Sequence, residues 1–244
     1  MFFHSVNCYD FIDPLTNAET IHIDLAAYDG SEANIVIYRE YSLANILDPL
    51  SPFMNGHLVR YELADIDSPE AVASIVAETP TASYPRATVL QSIHDCFMEL
   101  PRINKTVSCL PGYRYVYGCG GTGQASPGTQ VPIGRLGSGL KIVQCAFFST
   151  IVKTDWLSGT SINWVPPNGD SCPCEPVFIA RPGATEEDDG VVLTIVCNRV
   201  GSTSLLVALD ARDLTEVARA EMPHVYALGP HGTFVSGKEM FSDI

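Results

Sequence analysis

Apolar positions come in short runs along this chain, and nearly every run is closed by a turn-forming residue. The clearest runs are Ala33 to Tyr38, His57 to Leu63, Tyr113 to Tyr117, Leu140 to Val152, Val177 to Ala180, Val191 to Cys197 and Ser204 to Leu209. They are rich in Val, Ile, Tyr and Phe, whose branched or flat side chains suit a pleated, half-buried surface, and they are bounded by Gly, Pro, Asp or Asn. Asp188-Asp189-Gly190 stands directly before Val191-Val-Leu-Thr-Ile-Val196, a turn that leads into a strand. Helical signals are few. Asp67-Ser-Pro-Glu70 has the make-up of a capped start, with Pro69 near the first helical position, and the Ala-Val-Ala-Ser-Ile-Val that follows reads as a short helix or a strand. Ser42 to Leu50 reads as another short helical turn. No internal repeat, low-complexity block or linker divides the chain, so residues 1–244 are expected to form a single domain. The pattern predicts a mostly antiparallel, all-β domain, either a sandwich or part of a propeller.

Composition sharpens this picture. Apolar residues make up 46% and charged residues 17% of the 244, a balance that builds a core rather than a disordered tail. The 19 Gly and 17 Pro are scattered, which favours many turns between short elements. A net charge of −14 argues against nucleic acid, whose binding relies on Lys and Arg neutralising phosphates, and against adsorption to an anionic leaflet through a basic patch. An apolar ligand or a metal is compatible with it. The first residues have no basic stretch followed by an apolar one, and the run Ile142 to Val152 is interrupted by Gln144, Ser149 and Thr150, well short of a membrane span. The expectation is a cytoplasmic chain with no transmembrane segment, which leaves room for peripheral membrane contact in a longer protein. The eight cysteines are irregularly spaced, with Cys172-Pro-Cys174 and Cys197 forming no paired zinc hooks, and read as buried or free thiols of a reducing compartment. Asn104-Lys-Thr106 matches a glycosylation acceptor at the level expected by chance.

Among generic motifs, Gly118-Cys-Gly-Gly-Thr-Gly123 matches G-x-G-x-x-G after a strand-like run. A dinucleotide site also needs a helix opening at the third glycine, and the residues that follow, Gln-Ala-Ser-Pro-Gly-Thr-Gln-Val-Pro, spell a loop, so that reading is rejected. No G-x-S-x-G or H-E-x-x-H occurs. The histidines at His4, His22, His57, His94, His224 and His231 are dispersed, and local spacing singles out none of them. A propeller nonetheless gathers ligands from distant blades around its axis.

Five segments, in order and along essentially the whole chain, resemble the carotenoid cleavage oxygenase family. Met1-Phe-Phe-His4-Ser-Val-Asn-Cys-Tyr-Asp10 is similar to F-H-x-x-N-A-Y-E, which holds the third of that family's four iron-binding histidines. Met98-Glu99-Leu-Pro-Arg-Ile-Asn104 is similar to E-F/L-P-x-I-N. Cys174-Glu175-Pro-Val-Phe-Ile-Ala-Arg-Pro-Gly-Ala-Thr-Glu-Glu-Asp-Asp-Gly-Val-Val-Leu193 is similar to the long E-P-x-F-x-P-R-P-G-A-x-E-E-D-D-G-V-V-L stretch. Leu206 to Pro223 resembles the family's closing strands, and Gly229-Pro-His231-Gly-Thr-Phe234 resembles F-H-G-x-F around the fourth histidine.

The resemblance implies a seven-bladed β-propeller with Fe(2+) on its axis, held by histidines whose neutral imidazoles suit that ion and leave positions open for dioxygen. By the same resemblance His4 and His231 are metal ligands. Glu99 stands behind His4 and Glu175 behind His231, each accepting the free ring N–H and fixing the tautomer. No catalytic residue is implied beyond the ligands. The acidic run Glu186-Glu-Asp-Asp189 reads as a turn with no metal role. The family places two further iron histidines, a third supporting Glu and several blades before the segment that begins here at Met1. The chain therefore resembles a C-terminal portion whose N-terminal blades are missing. His22, His57, His94 and His224 do not lie in matching segments, and the chain departs from the family at Cys8 and Asp10, where Ala and Glu are usual.

The implied reaction is Fe(2+)-dependent cleavage of a conjugated C=C bond by dioxygen into two carbonyl products. Its substrate is an apolar polyene, a carotenoid or apocarotenoid of retinal-forming or torulene type, and this polypeptide alone is expected to be inactive. The alternatives are a stilbenoid-cleaving oxygenase of the same family and a degenerate, non-catalytic propeller fragment.

Overall fold

A computed structural model describes residues 2–15, 17–28, 56–64, 87–94, 96, 98–120, 150–167, 171–198, 203–226, 229 and 231–235. These residues form three antiparallel sheets. The first runs β1 (Phe2–Ile12), β2 (Glu19–Ala27), β3 (His57–Leu63) and β4 (Ala87–Ile93), each strand paired with the next. The second runs β5 (Glu99–Arg102), β6 (Tyr115–Gly120), β7 (Thr150–Asp155) and β8 (Thr160–Trp164). In the third, β9 (Ser171–Pro173) and β10 (Val177–Ala180) both lie along β11 (Gly190–Asn198), followed by β12 (Thr203–Asp210) and β13 (Glu216–Glu221). Among the described residues there is no α-helix, only a 3-10 turn at Lys105–Val107, and no helix is long and apolar enough to cross a membrane.

The all-β expectation is met. The runs from His57 and Val177 coincide with β3 and β10, and those from Tyr113, Val191 and Ser204 with β6, β11 and β12 within a few residues. The runs Ala33 to Tyr38 and Ser42 to Leu50, and the helix-or-strand stretch after Glu70, lie outside the described residues, as do residues 140–149 of the Leu140 run. Strands β1, β2, β4, β5, β8, β9 and β13 lie outside those runs. In β2 the reason is visible: the buried face is Thr20, His22, Asp24 and Ala26, while Ile21, Ile23 and Leu25 on the other face are half-buried. The usual equation of apolar with inside is reversed there.

The second sheet is covered on both sides, so β7 is buried from Thr150 to Thr154 without alternation. Its seam with the first sheet contains Tyr9, Leu58, Met98, Val116, Val152 and Trp156. Its seam with the third contains Tyr117, Ile151, Phe178, Val192, Val207 and Leu209. Each such aliphatic side chain, fully buried, stabilises the fold by about 1.5–3 kcal/mol.

Polar contacts differ between the seams. In the first, the fully buried Asp24 accepts two hydrogen bonds from Arg60, Nε and Nη2, both at 2.8 Å, and a third from the Tyr113 hydroxyl. Trp156 Nε1 donates to the Tyr113 oxygen at 2.9 Å, and the Arg60 guanidinium lies over the Trp156 ring at 4.6 Å. Burial, and then the Asp24 charge, push the Tyr113 phenol up, so it remains a neutral donor. In the second seam the acidic turn before β11 fastens the sheets. Glu187 accepts the backbone N–H groups of Arg114 (2.9 Å) and Tyr115 (2.8 Å), and Asp188 pairs with Lys153 at 2.7 Å. That run is structural.

Gly118, the first glycine of the rejected dinucleotide motif, has a packing role. A Cβ there would stand 2.6 Å from Met98 Cγ and 2.8 Å from the Glu99 carbonyl oxygen, so only glycine lets β5 lie this close to β6. Asn104 is buried, donates to the Glu187 carbonyl at 2.9 Å and accepts from the Thr106 N–H at 3.0 Å, which leaves its amide no room to carry a glycan.

Candidate metal centre

His4 and Glu99 lie on the first strands of the first two sheets, Glu175 lies between β9 and β10, and His231 follows β13. His4 projects from β1, an edge strand whose pairing with β2 shifts register between Phe2 and His4 and again between Ser5 and Asn7. Its Nδ1 meets Glu99 Oε2 of β5 at 2.5 Å. Glu99 is 2% exposed, and its carboxylate is fully used: the Tyr28 hydroxyl donates to Oε1 at 2.5 Å and the Leu100 N–H to Oε2 at 3.1 Å. Three hydrogen-bonding partners fix a buried carboxylate in orientation. Its hydrogen bond raises the His4 imidazole above the ordinary range, against the opposing effect of burial.

Strand β5 is irregular for a specific reason. Leu100 has φ +49°, in the left-handed region that side chains with a Cβ rarely adopt, and the pairing with β6 shifts register between Glu99 and Arg102. In a plain strand residues three apart face opposite sides. Here too Glu99 reaches His4 on the side of the first sheet, while Arg102 reaches Glu175 on the side of the third.

Glu175 lies in the break between β9 and β10, two strands that share one side of β11. The break is held by Cys174 N–H donating to the Ile195 carbonyl at 2.8 Å and by Thr194 Oγ1 donating to the Cys174 carbonyl at 2.8 Å. The thiol of Cys174, hydrogen-bonded to Cys197, is pulled down to about 7. Glu175 Oε1 faces His231 Nδ1 at 3.2 Å, and Oε2 accepts from the Gly232 N–H at 2.8 Å and from Arg102 Nη2 at 2.7 Å. The same Nη2 donates to the Gly232 carbonyl at 2.6 Å.

The structure places His4 Nδ1 against Glu99 and His231 Nδ1 against Glu175, and it brings the two histidines together from far apart in the chain. Their ring centroids are 5.3 Å apart at an interplanar angle of 70°. A neutral ring whose Nδ1 donates to a carboxylate keeps a lone pair on Nε2. Two such imidazoles, each backed by a carboxylate, are the donor chemistry that suits a borderline divalent cation such as Fe(2+), so the residues present fit part of that site. Among the described residues no group of three or more His, Cys, Asp or Glu converges to hold a metal.

The other histidines stand elsewhere. His22 is buried, stacks on Phe11 and faces the Tyr9 hydroxyl; His57 stacks on His94; His224 is exposed. Sequence reasoning missed Tyr28 and Arg102. Arg102 could have been found, since it sits three residues after Glu99 in a matched segment and strand parity points the two to opposite sides.

Two open apolar hollows flank the described sheets. One, of about 300 Å³, is lined by Phe2, Ile23, Leu25, Tyr61 and Leu63 on the first sheet. The other, of about 320 Å³, is lined by Val177, Leu193, Ile195, Leu206 and Phe234 beside His231.

Comparison with known proteins agrees with this arrangement. The family described as retinal pigment epithelial membrane protein matches residues 1–236. A Neurospora crassa protein named carotenoid dioxygenase is 27% identical over 249 residues, covering 98% of this chain and 37% of that protein. The Mus musculus β,β-carotene 15,15'-dioxygenase is 36% identical over 140 residues, covering 57% of this chain and 20% of its own length. Among solved structures, cobalt-substituted Synechocystis ACO, an apocarotenoid oxygenase, superposes with a TM-score of 0.58 at 22% identity, covering 92% of this chain and 37% of that one. An ACO/RPE65 chimera superposes with a TM-score of 0.60 at 22% identity, covering 96% and 39%. These neighbours share the fold, and the chain spans about 37% of the length of its Neurospora relative. The chain belongs to the carotenoid oxygenase family, the one described as retinal pigment epithelial membrane protein.

Proposed function

We propose that this chain contributes His4 and His231 to a non-haem Fe(2+) centre on the axis of a seven-bladed propeller, of which it forms the C-terminal portion as a single domain. The complete protein cleaves a conjugated C=C bond of a carotenoid or apocarotenoid with dioxygen, each alkene carbon taking one oxygen atom to give two carbonyl products. The observation that carries the reading is the pair of imidazoles 5.3 Å apart, each with its Nδ1 on a buried carboxylate. The relatives named for carotenoid cleavage support the substrate class, and the cobalt-substituted neighbour supports a metal. The half-buried apolar faces on the first and third sheets support further blades packing at both ends.

Iron, when bound, supplies the activation of dioxygen next to the alkene. The chain's own residues prepare its place. Glu99 and Glu175 hold protons on Nδ1 of His4 and His231, keep each Nε2 available and supply negative charge behind two neutral ligands. Tyr28 and the Leu100 N–H hold Glu99 in position. Two histidines bind a cation more weakly than four, so this polypeptide alone is inert.

The test is to purify the native gene product, weigh it intact, measure its iron and assay it side by side with a carotenoid and a stilbenoid. Stoichiometric iron, carotenoid cleavage and its loss in His231→Ala are expected. A native product without iron or turnover would sink the proposal, and preferential cleavage of the stilbenoid would move the substrate class.

A further inference from the structure

Arg102 does more than neutralise an acid. Its Nη2 alone bridges two acceptors, Glu175 Oε2 at 2.7 Å and the Gly232 carbonyl at 2.6 Å, while Glu175 Oε2 also takes the Gly232 N–H at 2.8 Å. The two peptide units that flank Gly232, next to His231, are therefore each held. Residues 231–235 have no regular strand pairing and His231 is 59% exposed, so little else fixes this ring. Glu175 is by contrast 4% exposed at its side chain, and among the described residues Arg102 supplies the one guanidinium that meets it. The arginine comes from β5, the strand that also carries Glu99, and it faces the third sheet while Glu99 faces the first.

We propose that Arg102 is a positioning residue for His231, and that the bulged β5 is the shared mount of both histidine–carboxylate pairs, Glu99 setting His4 and Arg102 setting His231 through Glu175 and Gly232. It deepens the metal reading above, but the geometry of His231 can be tested without any metal. A β5 that carries both pairs keeps the two imidazoles in a fixed mutual orientation even though they come from widely separated parts of the chain.

The test uses the metal-free chain labelled with ¹⁵N, in which the Gly232 amide and the His231 ring nitrogens report one pair and the His4 ring nitrogens the other. In Arg102→Gln the Gly232 amide should exchange about tenfold faster, the loss of a charge-assisted hydrogen bond, and His231 should lose its preference for Nδ1–H while His4 keeps its own. Arg102→Lys, which keeps the charge and reaches the same acceptors less well, should recover part of the protection. Titration with Co(II) as the probe should show affinity falling about tenfold in Arg102→Gln, the lower end of what partners behind a ligand are worth.

Unchanged Gly232 exchange and an unchanged His231 tautomer in Arg102→Gln would overturn the proposal. If that variant also loses the His4 signals through misfolding, Arg102→Lys decides: a speed-up confined to Gly232 is expected, and wild-type exchange there overturns it. A chain that takes up no Co(II), yet whose Gly232 protection depends on Arg102, would remove the metal reading and leave the positioning role standing.

Discussion

Between the first and second sheets a fully buried carboxylate, Asp24, sits under an arginine, a tyrosine and a tryptophan, whereas between the second and third sheets the same depth is filled by Val192, Val207 and Leu209. The two seams also deliver their histidines differently. His4 is part of β1, paired through its backbone, and its carboxylate contact is 2.5 Å. His231 follows the last strand, and its carboxylate contact is 3.2 Å. A ligand built into a strand is positioned by the sheet. A ligand outside one needs side chains to hold it, and Arg102 with Glu175 do so here. The contrast also bears on stability, because a buried ion pair costs desolvation that only full hydrogen bonding offsets, while an apolar seam depends on packing density. Each seam has its own reporter, Trp156 in the first and Trp164 packed against the second.

The largest effect should come from Asp24→Ala, which leaves the Arg60 guanidinium uncompensated in the first seam and should destabilise the chain by about 3–5 kcal/mol. Urea unfolding followed at Trp156 measures it, and a loss under about 1 kcal/mol would mean that the polar hub is not what holds this seam. Next comes Leu209→Ala in the second seam, with about 3 kcal/mol lost to burial and cavity terms. Followed at Trp164 in a Trp156→Phe background, it should leave the denaturant slope unchanged. A separate transition at each tryptophan would show that the seams open independently, and coincident ones that the three sheets unfold as a unit.

A smaller change, about tenfold or more in Co(II) affinity, is expected for Glu99→Gln and for Glu175→Gln, since each removes the anion behind a histidine. Calorimetric titration near neutral pH should find Glu99→Gln the more damaging, because that carboxylate is the more deeply buried and its contact the shorter. The reverse order would remove the distinction between the two histidine mounts.

The smallest effect concerns the edge of the second sheet. The Arg114 guanidinium beside Asp155 holds its carboxyl down at about 2, against an ordinary value of 3.8. A depressed carboxyl contributes stability that is present above about pH 4 and lost as pH falls through 2. Asp155→Asn should remove that part of the acid-induced loss, and the contribution is small because the pair is solvent-screened. Identical stability–pH slopes between about pH 4 and pH 2 in the two proteins would show that Arg114 does not hold Asp155.

Much of the site is legible in the sequence. His4, Glu99, Glu175 and His231 each sit in a segment whose residue order is specific, and the runs from His57, Val177, Val191 and Ser204 have the length and β-branched content that make strands in any context. Those are local properties, set by backbone sterics and side-chain shape. Other features depended on partners distant in sequence. Strand β2 hides Thr20, His22 and Asp24 because Arg60, Tyr9 and their neighbours satisfy polar groups there, and no local pattern announces that. Arg102 grips Glu175 across the seam between the second and third sheets, and its partner lies 73 residues away in the chain. Sequence alone therefore determined the β class, which follows from short-range chemistry, whereas the histidines and their carboxylates were singled out by the resemblance of their segments to a known family. Tertiary structure alone decided which polar face is buried and how His231 is held, since each depends on groups that meet only when the sheets pack.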